Sequence, residues 1–148
     1  MPTHAEKKIL PHTADQMYDL IADVSSYPEF LPWCVGARIR DRKNVGASEV
    51  IDADLIISFK VFRERFGSRV TLYPETRKID VEYLDGPFKY LNNHWHFIPM
   101  DDGQCEVDFF VDFEFKSRTL QAIIGIVFHE AMQRIVSAFE RRAKDLYG

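Results

Sequence analysis

The side chains that could do chemistry in this chain are few and scattered. His94 and His96 have the parity to face one side of a strand, with Trp95 between them, and two such histidines could hold a metal. No carboxylate or cysteine stands at a spacing that completes a metal site, so solvent-facing histidines are the favoured interpretation. His129, beside Glu130, lies at the edge of an apolar helical stripe. It is interpreted as a surface residue, with a place at a cavity mouth as the alternative.

Catalytic motifs are absent from the sequence. It contains no Gly-x-Ser-x-Gly elbow, no glycine-rich phosphate loop and no metal-ligand cluster of known spacing. Cys34 has no base near it in the sequence and is interpreted as a small hydrophobic residue. With Cys105 it makes two cysteines, without the density of a disulfide framework, which indicates a reducing compartment. We therefore expect no catalytic residue, no metal and no enzyme activity.

Three arginines, Arg63, Arg65 and Arg69, share one strand parity and should face the same side of a sheet. In one interpretation they form a small basic patch that meets membrane headgroups or RNA phosphate. In the other they pair with acids on the outward faces of neighbouring strands, such as Asp108, Asp112 and Glu114. The formal net charge is −4, so binding to DNA by overall charge is not expected.

The segment SSYPEFLPWC, Ser25–Cys34, places four large apolar side chains around two prolines in a short, broken stretch. Aromatic residues make up 14% of the chain, a load that suits a large core or an apolar cavity. Two interpretations stay open, that the segment closes the core and that it forms the lip of a ligand cavity. The side chains concerned are Tyr27, Phe30, Leu31 and Trp33.

The elements that would position these residues begin with a strand over Thr3–Leu10. Thr13 and Gln16 have capping-box spacing and start a helix, and Ser26 and Glu29 repeat that spacing for a second short helix. A proline after that helix stops it abruptly.

Alternating strands follow, and one face of each is apolar. The extended run Ser48–Leu72 is too long for a domain of this size, so we predict that it folds back near Ser58–Lys60. The last strand, Cys105–Phe115, is the clearest, with one apolar and one mostly acidic face. A sheet with one dry and one wet face is typically antiparallel.

The C-terminal segment Arg118–Leu146 keeps apolar residues at helical spacing throughout, which predicts a helix of roughly 43 Å. It can bury its stripe only against the concave face of the sheet, and a gap left at one end would become an apolar cavity. No 18 uninterrupted apolar residues occur, so no membrane span is expected. One domain, 1–148, is expected.

The predicted cavity residues come from the broken segment, the last strand and the long helix. They are Tyr27, Phe30, Leu31, Trp33, Val107, Phe109, Val111, Phe113, Ile124, Val127, Phe128 and Met132. Trp95, in another strand, is predicted to lie apart from the lip.

The order of elements resembles the helix-grip fold of START-like domains, shared with pollen-allergen-like proteins and polyketide cyclases. Four stretches are similar to the coenzyme Q-binding START-like family, which includes the bacterial ribosome-association toxins, the RatA-like proteins. These stretches are VSSYPEFLPWCVGARI, FRERFGSRVTL, IDVEYLDGPFKYLNNHWHF and VDFFVDFEFKSRTLQAIIGIVFHEAMQRIVSAFERRA. The resemblance implies an α+β fold in which a curved antiparallel sheet of six to seven strands wraps around the long helix, with two short helices after the first strand.

The resemblance also implies three functions. The first is non-enzymatic binding or chaperoning of ubiquinone or a ubiquinone precursor in support of respiratory electron transport, by a cytoplasmic protein that can lie peripheral to the inner membrane and contact a respiratory complex. The second is a toxin that binds the large ribosomal subunit and blocks translation initiation. The third, a polyketide-type cyclase, is the weakest because no acid–base set falls inside the apolar pattern.

Overall fold

The computed structural model describes residues 3–59 and 62–148. Within these residues the chain forms seven strands, two α-helices and two short 3₁₀ helices. In chain order they are β1 (Thr3–Leu10), α1 (Ala14–Ala22), the 3₁₀ helix Val24–Glu29, β2 (Cys34–Val45), β3 (Ser48–Phe59), β4 (Phe62–Tyr73), β5 (Lys78–Asp85), β6 (Phe88–Pro99), the 3₁₀ helix Asp101–Gly103, β7 (Cys105–Phe115) and α2 (Arg118–Tyr147).

The strands form a single antiparallel sheet in the order β1-β7-β6-β5-β4-β3-β2. Strands β2 to β7 follow one another as a meander, whereas β1 pairs with β7 from the far end of the chain. Register shifts interrupt the ladders in β2, in β4 between Gly67 and Ser68, and in β6, and such bulges bend strands. The predicted α+β helix-grip architecture, with seven strands and two short helices after β1, is confirmed.

The predicted helix starts had different outcomes. The capping box of Thr13 and Gln16 is present, with reciprocal hydrogen bonds of 3.0 and 3.1 Å. The second predicted box is wrong, because the 3₁₀ helix already begins at Val24. The hydroxyl of Ser26 instead donates to the carboxylate of Asp23 at 2.6 Å. The turn predicted near Ser58–Lys60 falls between β3 and β4, and Lys60 itself lies outside the described residues.

The core lies between the inner face of the sheet and α2, and it is unevenly filled. The second half of α2 is well buried, and Phe139 packs edge-on against Trp95 with ring centroids 5.5 Å apart. Between Arg118 and Glu130, Leu120 is the buried residue of α2. From Ala131 onward the buried residues are Ala131, Met132, Ala138, Phe139 and Ala143. One end of the helix is therefore packed, and the other borders an open space.

Candidate ligand cavity

A cavity of about 290 Å³ lies between the inner face of the sheet and the first two thirds of α2. Strands β3 to β7 supply most of its wall, the segment after the 3₁₀ helix closes one side, and α2 closes another. Its lining is apolar apart from Glu64, Ser68 and Asn93. A volume near 300 Å³ is at the lower limit for small-molecule sites, so the cavity can enclose a ring-sized apolar group.

The mouth of the cavity is marked by lining residues that remain partly exposed. Among them are Trp33, Phe59, Pro87 and Ile123, whereas residues deeper in the wall, such as Ile79, are buried. The cavity therefore opens between the Trp33 segment, the β3–β4 end of the sheet and the first turns of α2. Those four side chains with Glu64 are called the rim below.

The geometry of α2 explains why space remains here. Ile124 and Ala131 both line the cavity and lie two helical turns apart, so they point in nearly the same direction. At the level between them, Val127 and Phe128 flank that direction by roughly 50° on either side. No side chain of α2 points straight into the gap at that level, and the small side chain of Ala131 fills little of it.

Eight of the twelve predicted residues lie in the wall of this cavity. They are Tyr27, Leu31, Trp33, Phe109, Val111, Phe113, Ile124 and Met132. Val127 and Phe128 do not, for the geometric reason just given. Val127 is half-buried, and Phe128 turns toward Phe113, with ring centroids 5.6 Å apart.

The other two residues outside the wall point to different neighbours. Phe30 packs edge-on against Phe139 at 5.4 Å, and the guanidinium of Arg142 lies 5.1 Å above its ring. Phe30 therefore anchors the segment to the packed end of α2. Val107 lines a smaller second cavity of about 30 Å³ nearer to β1, beyond the stacked rings of Trp95 and Phe109.

The prediction missed the central strands of the sheet. Their inner faces contribute about a third of the residues in the cavity wall, because β4, β5 and β6 stand in the middle of the strand order. The available signal was the same period-two alternation that identified β7. The missed residues include Leu55, Ile57, Phe66, Ser68, Val70, Ile79, Val81, Phe88, Leu91, Asn93 and Trp95. Trp95 is buried in the wall, away from the rim, yet it lines the same cavity as Trp33.

Trp33 has a backbone conformation that is costly for a bulky residue. Its φ of 67° lies in the left-handed region, where a non-glycine residue costs about 1–3 kcal/mol. Its indole packs edge-on against Phe59 at 5.6 Å, and its carbonyl oxygen accepts a 2.8 Å hydrogen bond from the backbone N–H of Ser58. These contacts hold the strained turn and place the indole at the rim.

Tyr27 anchors the segment that carries Trp33 to helix α1. Its hydroxyl donates to the carbonyl oxygen of Ile21 in α1, and burial raises the pKa of the phenol. Tyr27 is therefore a neutral donor that ties the 3₁₀ helix to α1, while its ring forms part of the cavity wall.

The polar groups in the wall are few and well separated. Ser68 is buried on β4, and a hydroxyl can both donate and accept a hydrogen bond. Asn93 on β6 donates from its amide to the carbonyl oxygen of Phe110 at 2.8 Å, which fixes its orientation. Glu64 is exposed at the rim. Ser68 lies on β4 and Asn93 on β6, with β5 between them, so the two side chains do not form a catalytic pair.

Both cysteines are buried and unreactive in character. Burial raises the pKa of the Cys34 thiol, and it raises the pKa of Cys105 to about 11. Neither is therefore a thiolate near neutral pH. In the part of the chain that the structure describes, no cluster of three metal-ligating side chains occurs. His94 lies on the exposed face of β6, stacked on Phe110 at 4.9 Å.

The predicted arginines lie on the outer face of the sheet, but their partners differ from those predicted. Arg69 pairs with Asp52 at 2.9 Å, and Arg65 pairs with Asp54 at 2.7 Å and with Asp85 at 3.0 Å. The acids of β7 are out of reach because β5 and β6 separate β4 from β7.

Asp54 is the centre of this outer-face arginine cluster, which also includes Arg38, Arg40, Arg65 and Asp85. Its side chain is only 4% exposed and accepts hydrogen bonds from all three guanidinium groups. The bonds from Arg40 most of all, and then those from Arg38 and Arg65, lower the pKa of Asp54 to about 2 against the opposing effect of desolvation.

A glycine makes this arrangement fit. A Cβ at Gly67 would overlap the guanidinium of Arg40 and stand 2.9 Å from Oδ1 of Asp85. The absence of a side chain at Gly67 therefore leaves the path along which Arg40 crosses β4 to reach Asp85, at a hydrogen-bond distance of 3.1 Å.

A seven-stranded antiparallel sheet closed over one long C-terminal helix, with an apolar cavity between them, defines the START-like class of ligand-binding domains. Residues 10–140 match the family described as polyketide cyclase / dehydrase and lipid transport, and the chain belongs to that family.

Three relatives illustrate where the chain lies within this family. It is 41% identical to the ribosome association toxin RatA of Rickettsia prowazekii, with 94% of each chain covered. It is 34% identical to the mitochondrial coenzyme Q-binding protein COQ10 homolog B of Xenopus laevis, covering 98% of this chain and 59% of that protein. The solution structure of an 18 kDa protein from Caulobacter crescentus matches with a TM-score of 0.82 and 40% identity, over 100% of this chain and 99% of that one.

Proposed function

We propose that this protein binds and carries a lipophilic ligand without transforming it, and that the ligand is ubiquinone or a ubiquinone precursor. The observation that carries the proposal is the apolar cavity of about 290 Å³ with an open mouth between sheet and helix. The coenzyme Q-binding relative supports the choice of a quinone. In this proposal the protein is cytoplasmic and supports respiratory electron transport.

The size of the cavity limits how a quinone would bind. Because the volume is near the lower limit for ligand sites, the ring and the first part of the tail would be enclosed, and the remaining tail would leave through the rim. In this proposal the hydroxyl of Ser68, which lines the wall, donates to a quinone carbonyl. A buried hydroxyl that gains such a partner adds specificity for a polar ring over a plain hydrocarbon.

The same wall argues for carriage rather than catalysis. General acid–base chemistry needs a titratable pair positioned on the reacting atoms. The carboxylate in the described lining, Glu64, stands at the exposed rim. The phenol of Tyr27 donates to Ile21 and has a raised pKa, and both cysteines are buried thiols with raised pKa values.

Tryptophan emission should report the ligand. Both tryptophans of the chain, Trp33 and Trp95, line the cavity, so a bound short-chain quinone should quench both. We expect saturable quenching of the wild-type protein, partial quenching of Trp33→Phe and of Trp95→Phe, and a matching midpoint in all three titrations. Emission that is unchanged in both single variants would contradict quinone binding in this cavity.

A second candidate function, association with the large ribosomal subunit, is favoured by the exposed arginines of the outer face and by the ribosome association toxins among the relatives. Arg38 and Arg63 are exposed there, and cations in such positions can contact RNA phosphate. Arg65 is a poor probe of this function because it is held by Asp54 and Asp85.

Charge reversal separates the two candidates. If the protein binds ribosomal RNA through this face, Arg63→Glu should abolish co-sedimentation with ribosomal particles, and wild-type co-sedimentation should weaken as salt rises. Quinone quenching should be unaffected, because Arg63 lies on the outer face. Met132→Lys is the matched counterpart, since it places an unpaired charge in the cavity wall and should remove quenching alone. Equal co-sedimentation of wild type and Arg63→Glu would exclude this face as the ribosome contact.

A further inference from the structure

The first turns of α2 expose apolar surface that the fold does not use. Ile126 is 85% exposed, the largest value among the exposed large hydrophobic residues that the structure describes, and its neighbours Ala122 and Gly125 are exposed as well. The helix contains an 18-residue window that is long and apolar enough to cross a membrane, yet only 22% of that window is buried. A core helix of this composition would be mostly covered.

This exposed surface is continuous with the mouth of the cavity. Ile126 is three residues from Ile123, so the two side chains are neighbours on the helix surface, and Ile123 belongs to the rim. Phe59 and Trp33 stand on the opposite side of the opening and are half-exposed. A group that covered Ile126 would therefore also cover the opening through which a ligand passes.

The charges around this surface have one dominant sign. Between Glu114 and Glu130 the chain contains no acidic residue, and it carries Lys116 and Arg118. Both are exposed, and the backbone N–H of Lys116 donates to the carbonyl of Pro87 at 2.8 Å, which places this pair beside the rim. Glu64 is the acid at the rim, and Glu130, one turn beyond Ile126, is paired with Arg134 at 2.9 Å. Since the whole chain has a net charge of −4, this end differs in charge from the remainder.

From the exposed isoleucine, the adjoining cavity mouth and the flanking cations, we propose that this end of the molecule docks on an anionic lipid bilayer. Ile126 and Ile123 enter the interface while Lys116 and Arg118 meet lipid phosphates. The purpose of docking rests on the proposed function: a lipophilic ligand would pass between the bilayer and the cavity without crossing water. Docking itself needs no ligand.

A bilayer explains this combination better than a second copy of the chain. Two copies meeting through this surface would gather the cations Lys116 and Arg118 of both chains in one interface, and their mutual repulsion would oppose the contact. An anionic bilayer neutralises them and also accepts the apolar side chains. The bilayer is in addition the place where polyprenyl lipids reside.

The test is flotation of the ligand-free full-length chain with vesicles of phosphatidylcholine alone and of phosphatidylcholine mixed with phosphatidylglycerol. Wild type should bind the anionic vesicles, and binding should weaken as salt rises. Ile126→Ser should reduce the partition coefficient about tenfold. Lys116→Glu combined with Arg118→Glu should remove the preference for anionic lipid.

Val45→Ser is the matched control. Val45 is 56% exposed and is the last residue of β2. It pairs with Ser48 at the end of β3 opposite Phe59, roughly 36 Å from it. This variant should bind vesicles as the wild type does. Because Ile126 is exposed, Ile126→Ser should melt at the wild-type temperature, so a change in binding is not a change in folding.

Three outcomes would overturn the proposal. In the first, the wild-type protein binds neither kind of vesicle. In the second, the Ile126→Ser variant binds vesicles as tightly as the wild type. In the third, sedimentation velocity shows that the wild type is a dimer and that Ile126→Ser is a monomer. Quinone quenching of tryptophan, measured without vesicles, reports the cavity separately. If the protein does not bind vesicles but quinone still quenches its tryptophans, membrane docking is rejected and the proposed function stands. If the protein binds vesicles but quinone does not quench its tryptophans, the proposed function is rejected and docking stands.

Discussion

Replacing Asp54 with asparagine should lower the free energy of unfolding by about 3 kcal/mol at pH 7. Asparagine keeps the shape of the side chain and removes the charge, so the guanidinium groups of Arg38, Arg40 and Arg65 lose their common anion. Removing one partner of a buried ion pair costs about 3–5 kcal/mol. The lower end applies because Arg38 is 75% exposed and water can solvate part of the cation cluster.

The pH dependence of that difference tests its cause. The folded-state pKa of Asp54 is about 2, below the value of about 3.9 for an unfolded aspartate. Between these values the unfolded chain binds a proton that the folded chain does not, so the contribution of Asp54 is complete above about pH 5 and is lost as pH falls toward 2. The stability gap between wild type and Asp54→Asn should shrink over the same range.

Urea unfolding followed by circular dichroism at several pH values measures both effects. Asp80→Asn, which changes an exposed acid on β5, is the matched control and should leave stability at pH 7 within about 0.5 kcal/mol of wild type. An Asp54→Asn protein as stable as the wild type at pH 7 would mean that the arginines are satisfied without this carboxylate.

The second large effect is expected from two alanines on the same helix. Ala131 and Ala143 are both buried, but Ala131 lines the cavity and Ala143 lies in the packed part of the core. Ala143→Leu should destabilise the protein by about 1–3 kcal/mol, because a close-packed core has no room for the added carbons. Ala131→Leu should leave stability unchanged or raise it, because its added carbons enter empty space.

Ala131→Leu should also weaken ligand binding. The isobutyl group of Ala131→Leu occupies volume that a ring needs, and in a cavity of about 290 Å³ this should weaken quinone affinity about tenfold or more. Thermal melting and tryptophan quenching of both variants give the answer. If Ala131→Leu is as destabilising as Ala143→Leu, the gap is not open space, and if it binds quinone normally, the ligand lies elsewhere.

The fold was predictable because its signals are periodic. Thr13 and Gln16 mark the start of α1, alternation marks the strands, and α2 keeps its stripe from Leu120 to Phe139. Strand order did not follow from the sequence alone, and the partner of Arg65 depended on it. A pattern of period two states which face a side chain occupies, but not which neighbouring strand supplies the charge opposite.

The presence of an apolar cavity could be predicted from the sequence, but the residues that line it could be predicted only in part. Which apolar side chain borders empty space depends on its direction to within a few tens of degrees, and helical spacing alone cannot resolve that for Val127 or Phe128. The strained φ of Trp33 and the close approach of the Arg40 guanidinium to Gly67 likewise arise from tertiary contacts. Such local conflicts are expected near functional sites.

The position of β1 in the sheet also has a consequence for how the chain is made. The hydroxyl of Thr3 donates to Asp112, 109 positions later, and β1 has β7 as its neighbour in the sheet. At a synthesis rate of about 5–20 residues per second, β1 leaves the ribosome roughly 5 to 20 seconds before its partner. During that wait the strand has an unpaired edge, a template for wrong pairing. The charged run Glu6, Lys7 and Lys8 along it disfavours such pairing until β7 is available.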